Sequence, residues 1–100
     1  MMYRFSLNTD ARVQVRVTSS PKSVDVMLMT GSELAKYQEV KGKLFGGKFT
    51  YRVPLSRQNT LDMDETEVLP ADTWAIVVEV RQTSVIIMDT TAISIDVIAY

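Results

Sequence analysis

The chain has no cysteine and no histidine among its 100 residues. Without cysteine there is no disulfide, no thiolate nucleophile and no cysteine-bound metal, and the redox compartment leaves no mark on the sequence. Without histidine the commonest general base near neutral pH and the commonest zinc ligand are missing, so neither a Ser-His-Asp nor a Cys-His arrangement can be assembled. An enzyme built from this chain would have only carboxylates, lysines, hydroxyls or an oxygen-ligated metal to work with. The expectation is a protein that is not an enzyme and holds neither cofactor nor metal. Long apolar runs are missing too. No window nears the roughly 18 apolar residues of a membrane span, and Arg4 and Asn8 interrupt the amino terminus before a secretion signal can form. The expected location is cytoplasmic.

What remains is ordinary for a globular protein: 46% hydrophobic and 23% charged residues, with a net charge of −1. One hundred residues make a single domain, 1–100, with a modest core and little chain left for a second lobe. A chain so close to neutral is not a polycation built for nucleic acid, although a local basic patch stays open.

The dominant period is two. In ARVQVRVT, Val13, Val15 and Val17 share one face and Arg12, Gln14 and Arg16 the other, the pattern of a half-buried strand. MYRFSLN sets Tyr3, Phe5 and Leu7 against Arg4, Ser6 and Asn8, and SSPKS is a turn. VDVMLMT carries Val24, Val26 and Leu28 on one side and Asp25, Met27 and Met29 on the other, which predicts cover on both faces. TWAIVVEVR is the clearest core strand, with Trp74, Ile76, Val78 and Val80 inward. SVIIMD is short and apolar throughout, and AISIDVIAY puts Ile93, Ile95, Val97 and Ala99 on one face. FTYRVPL alternates Phe49, Tyr51, Val53 and Leu55, with Pro54 confining it to an edge, a bulge or a strand end. One short helix is expected, because Thr30-Gly31-Ser32-Glu33 reads as a capping box and Leu34 and Tyr37 lie three apart before Gly42. Eight or so short strands with frequent turns predict an all-β antiparallel sandwich, jelly-roll-like, with at most one short helix.

The stretch KGKLFGGKFTYRVPL, residues 41–55, admits three readings. A phosphate cradle needs a Ser or Thr after its lysine and a helix behind it, and neither follows Lys48. A plain turn is the stronger reading, with Gly46-Gly47 as the turn and Phe45 and Phe49 pinning its sides into the core. The third reading uses charge. Residues 36–57 hold six cations (Lys36, Lys41, Lys43, Lys48, Arg52, Arg57) and one anion, Glu39, whereas residues 62–79 hold six anions and no cation. Folding KFTYRVPL back onto LDMDETEVL would set Arg52 near Glu65 and make a charge-matched hairpin. Left unmatched, Lys43, Phe45, Lys48, Phe49 and Arg52 would form a basic, aromatic-bearing surface able to hold phosphates and stack bases.

The run DMDETE invites calcium, but an extended strand puts Asp62 and Asp64 on one face and Glu65 and Glu67 on the other, so the carboxylates do not converge. The same geometry argues against a glycosidase pair facing across a cleft.

The stretch VQVRVTSSPKSVDVMLMTGSELAKYQEVKGKLFGGKFT together with LPADTWAIVVEV resembles a family of uncharacterised small bacterial β-sandwich domains. The matching residues are Val26-Met27-Leu28-Met29, Tyr37, Gly46-Gly47, and Pro70 through Trp74 to Val78. More distantly, the Leu69-Pro70 turn before a Trp-bearing strand is similar to the Golgi-dynamics (GOLD) sandwiches. The chain departs in having Asp72 where such turns often carry glycine, and in a polar insertion, SRQNTLDMDETEV. The resemblance implies a jelly-roll-like sandwich that binds or docks, sometimes beside signalling domains, and it transfers no activity and no functional residue.

Two functions from different classes follow. The first is an interaction or structural module that associates with a protein partner or with itself, most simply as a dimer. Four consecutive apolar residues, Val85 to Met88, need cover on both faces of a strand, and Ile98 and Tyr100 lie opposite Ile93, Ile95 and Val97. Ile86, Ile87, Ile98 and Tyr100 are the expected contact residues, unless the short helix or the N-terminal strand covers that face. The second is a binding module for an anionic polymer, nucleic acid or polysaccharide, through residues 41–52. No membrane partner is expected.

Overall fold

Val13, Val15 and Val17 are wholly removed from solvent, and this triplet fixes which side of β2 (Ala11–Ser20) faces the core. The computed structural model describes residues 1–42, 47–80 and 91–100. Around β2 they form two antiparallel sheets. The first has the order β1 (Met2–Leu7), β6 (Asp72–Val80), β3 (Val24–Thr30), β4 (Arg52–Thr60). The second has the order β5 (Asp62–Leu69), β2, β7 (Ala92–Ala99). From β1 to β2, β2 to β3, β4 to β5, β5 to β6 and β6 to β7 the chain changes sheets, the alternation of a jelly roll. The fold is thus an all-β sandwich with one short helix. Seven strands lie among the described residues, and the expected strand SVIIMD lies outside them.

The inner faces meet in one apolar cluster. Val13, Val15, Val17 and Met63 of the three-stranded sheet pack with Val24, Val26, Leu28, Leu55, Trp74, Ile76 and Val78 of the other. Phe5, Leu7, Ile93, Ile95 and Val97 close it at the side of β1 and β7. Burying a side chain of this size stabilises the fold by about 1.5–3 kcal/mol. Trp74 also satisfies its indole, donating from Nε1 to the Pro70 carbonyl at 3.0 Å.

A second apolar layer explains the double-sided β3. Helix α1 (Gly31–Lys41) lies on the outer face of the four-stranded sheet, and Leu34 and Tyr37 pack there with Met27, Met29, Ala75 and Val77. The helix begins where the sequence says. Thr30 accepts from the Glu33 amide at 3.2 Å, and Glu33 accepts from the Thr30 amide at 3.0 Å. Gly42 caps the other end.

The chain between helix and β4 departs from expectation. Phe49 and Tyr51 lie outside any strand and pack onto the helix layer, Phe49 edge-on to Tyr37 with ring centroids 5.0 Å apart. The alternation of Phe49, Tyr51, Val53 and Leu55 therefore does not describe a strand: Val53 is 81% exposed whereas Leu55 is buried. Phe45 and Gly46 of the expected turn lie outside the described residues, and Gly47 lies between α1 and β4 in a helix-to-strand connector. An added Cβ there would come 3.2 Å from Val40 Cγ2, close enough that the valine would have to shift by a few tenths of an ångström.

The β4–β5 hairpin is also not formed as a ladder. β4 pairs with β3 and β5 pairs with β2, in different sheets. β4 is an edge strand, and it is irregular. Leu55 and Asn59 sit at φ 58 and 55, in the left-handed region that disfavours a Cβ by roughly 1–2 kcal/mol. The bulges, Pro54 and these residues make β4 a poor template for another strand.

Candidate interaction surface

The register of the three-stranded sheet sets its outer face residue by residue. Arg12 lies between Val68 and Tyr100, and Gln14 between Thr66 and Ile98. Arg16 lies between Asp64 and Asp96, and Thr18 between Asp62 and Ser94. Tyr100 is locked to Arg12 by backbone bonds in both directions, at 2.8 and 3.1 Å. One end of the face is therefore apolar around a single arginine, and the other end is acidic around a second arginine. Arg16 Nε stands 3.6 Å from Asp64 Oδ2, and Gln14 donates to Asp64 Oδ1 at 2.8 Å.

Helix α1 does not cover this face, because it belongs to the other sheet, and β1 belongs to that sheet too. Ile98 is 50% exposed, Val68 58% and Tyr100 63%. Of the expected contact residues, Ile98 and Tyr100 thus share one exposed end of one face. Ile86 and Ile87 lie outside the described residues. Val68 was not singled out by sequence reasoning. Its signal was the failure of alternation in DMDETEVL, whose inward positions are Met63, Glu65, Glu67 and Leu69. Inward-pointing carboxylates on an edge strand discourage another strand from pairing there.

The basic stretch is dispersed. Lys43 and Phe45 lie outside the described residues. Phe49 is committed to Tyr37 and the helix layer. Arg52 donates from Nε to Glu33 Oε1 at 3.0 Å, and Thr50 donates to Glu33 Oε2 at 2.8 Å. Burial pushes the Glu33 carboxyl up, but the Thr30 amide, the Thr50 hydroxyl and the Arg52 guanidinium outweigh it and hold the group below its ordinary value. Lys41 stands 2.8 Å from Glu79 Oε1, an oxygen that the Tyr37 hydroxyl also engages. Burial pushes Glu79 up, and Asp25, opposite it on β3, adds to the rise. Arg57 pairs with Glu65 across the gap between the sheets. The match of basic and acidic stretches is therefore real at Arg57–Glu65, but Arg52 goes to the helix instead. Lys48 is exposed.

The acidic run is split by the pleat: Asp62 and Asp64 lie on the outer face, Glu65 and Glu67 on the inner. Among the described residues no helix is long and apolar enough to cross a membrane. Comparison with protein-family models, with curated proteins and with solved structures finds no match to this chain.

Proposed function

We propose that the chain is a non-enzymatic interaction module whose docking surface is the apolar end of the three-stranded sheet's outer face, and that the partner is a second copy. The observation that carries this reading is the grouping of Val68, Ile98 and Tyr100 around Arg12 on a face that neither α1 nor β1 covers, while the equivalent face of the other sheet is covered by α1. Large side chains half exposed in one group, rather than scattered, are the mark of a contact surface.

Charge favours one arrangement. A two-fold axis lying across the strands between the Arg12 and Gln14 rows sets Tyr100 of each copy over Ile98 of the other, and Arg12 over Gln14. Asp62, Asp64 and Asp96 then fall outside the contact. An axis along the strands would instead set Asp64 against Asp96 and Arg12 against itself, at a cost in like-charge repulsion. The first arrangement is isologous and closes at two copies. It covers only one end of a three-stranded face, less than the roughly 800 Å² per partner of a standard interface, so the dimer is weak and concentration-dependent.

Dilution followed by amide chemical shifts tests the surface. Shifts confined to the strands carrying Arg12, Gln14, Val68, Ile98 and Tyr100 are expected. Shifts mapping to the helix or to β4, or none at any concentration, would refute it.

A further inference from the structure

The irregular edge of the four-stranded sheet frames a cleft. On β3, Val26 is opposite Arg57 and Leu28 is opposite Arg52, so the four residues 53–56 of β4 stand against the single Met27. This bulge is held in place, not loose. Ser56 Oγ accepts from the Leu28 amide at 2.9 Å and donates to the Arg52 carbonyl. Leu55 drops into the core at positive φ, a conformation a leucine rarely takes. Bulges and strained residues of this kind gather beside sites, where they re-aim a side chain.

Here the bulge brings Arg52 and Pro54 to the rim of a cavity of about 260 Å³ between the edges of the two sheets. Leu28, Leu69 and Trp74 form its floor, and Val68 and Pro70 close the rim opposite. Among the described residues Arg52 is the one charged residue in the lining, and no carboxylate lines it beside Arg52. Its Nε donates to Glu33 Oε1 at 3.0 Å, which tethers one edge of the guanidinium. The two terminal nitrogens make no hydrogen bond among the described residues. They form the fork that matches a carboxylate with two parallel bonds.

We propose that this cleft binds a small aryl carboxylate, its ring against Trp74, Leu28 and Leu69 and its carboxylate on the ends of Arg52. At ~30 Å³ per water-sized volume the cavity takes roughly nine such volumes, enough for one ring and a short acid arm but not for a peptide backbone as well. A phosphate is a poorer fit, because one cation over an apolar floor leaves most of its oxygens without donors. The site borders the proposed contact surface at Val68, which lines both, but its carboxylate anchor, Arg52, lies on the other sheet.

Trp74 is the single tryptophan of the chain, so its emission reports on the cleft directly. Phenylacetate titrated into the full chain is expected to change that emission saturably, with half-saturation in the millimolar range for so small a ligand. Phenethylamine, with the same ring and the opposite charge, is expected to give no saturable change. Arg52→Gln should weaken phenylacetate by about tenfold or more. Glu33→Gln, which loosens the tether but leaves the cation, should retain binding. Should Arg52→Gln fail to fold by circular dichroism, the comparison of acid with amine on the unaltered protein decides alone. A response that is linear in phenylacetate, or the same for the amine, overturns the proposal.

Discussion

Replacing Glu33 with alanine removes one carboxylate that fastens three pieces of backbone. In the folded chain Glu33 caps the helix through the Thr30 amide, and it holds the connector through Thr50 and β4 through Arg52. The Thr30 amide, left part-buried without its acceptor, costs about 1–2 kcal/mol. The Arg52 pair adds only ~0.2–1 kcal/mol because the arginine is half exposed. The sum is about 1–3 kcal/mol, a large share of the ~5–15 kcal/mol available to a small domain. In a chain of this size it lowers the thermal midpoint by roughly 5–20 °C. Glu33→Gln keeps an oxygen for the Thr30 amide and should cost less than half as much. The pH dependence follows from the depressed carboxyl. Its folded value lies below the ordinary 4.5, so its stabilisation is complete above that value and is lost as the pH falls through the folded one. Urea midpoints of the wild type and Glu33→Ala should therefore differ widely at neutral pH and converge in acid. An alanine variant within ~0.5 kcal/mol of wild type at neutral pH would refute the three-way clasp. So would a gap that does not narrow in acid.

Trp74→Ala should cost about 3–5 kcal/mol, read by urea unfolding, and wild-type Trp74 should resist acrylamide quenching far better than free indole does. At Asn59, held at φ 55, glycine should be within a few tenths of a kcal/mol of wild type and valine worse by ~1–2 kcal/mol, a difference in thermal midpoints that vanishes if the left-handed conformation is wrong. Heparin should fail to retain the protein at physiological salt, since Lys41, Arg52 and Arg57 are already paired; retention abolished by Lys48→Gln would favour the anionic-polymer reading instead.

The two-residue period was legible wherever a strand is regular. β2 and β6 bury the residues their alternation names, because a pleat leaves no other choice once one face is apolar. The helix start was legible because the Thr30–Glu33 cap is a local interaction between residues three apart. Four things were not legible, the first three for reasons of long range. The pairing of β4 with β3 joins residues such as Leu28 and Arg52 across an intervening helix, and no local pattern marks a bulge of that size. Phe49 alternates with its neighbours as a strand residue would, yet it goes to Tyr37, because the helix layer offered it a partner the sequence could not display. Ile98 and Tyr100 were readable as outward, but which outer face the helix leaves bare depends on sheet order alone. The part played by Val68 was hidden by the inward turn of Glu65 and Glu67.

Sedimentation velocity over about 1–100 µM, on the wild type and on Ile98→Lys, tests self-association most directly. The arrangement around Tyr100 and Ile98 requires the weight-average mass of the wild type to rise toward the dimer with concentration. Ile98→Lys, with unchanged circular dichroism, should stay monomeric throughout. A wild type that sediments as a monomer at the highest concentration, or a dimer that Ile98→Lys leaves intact, would contradict it.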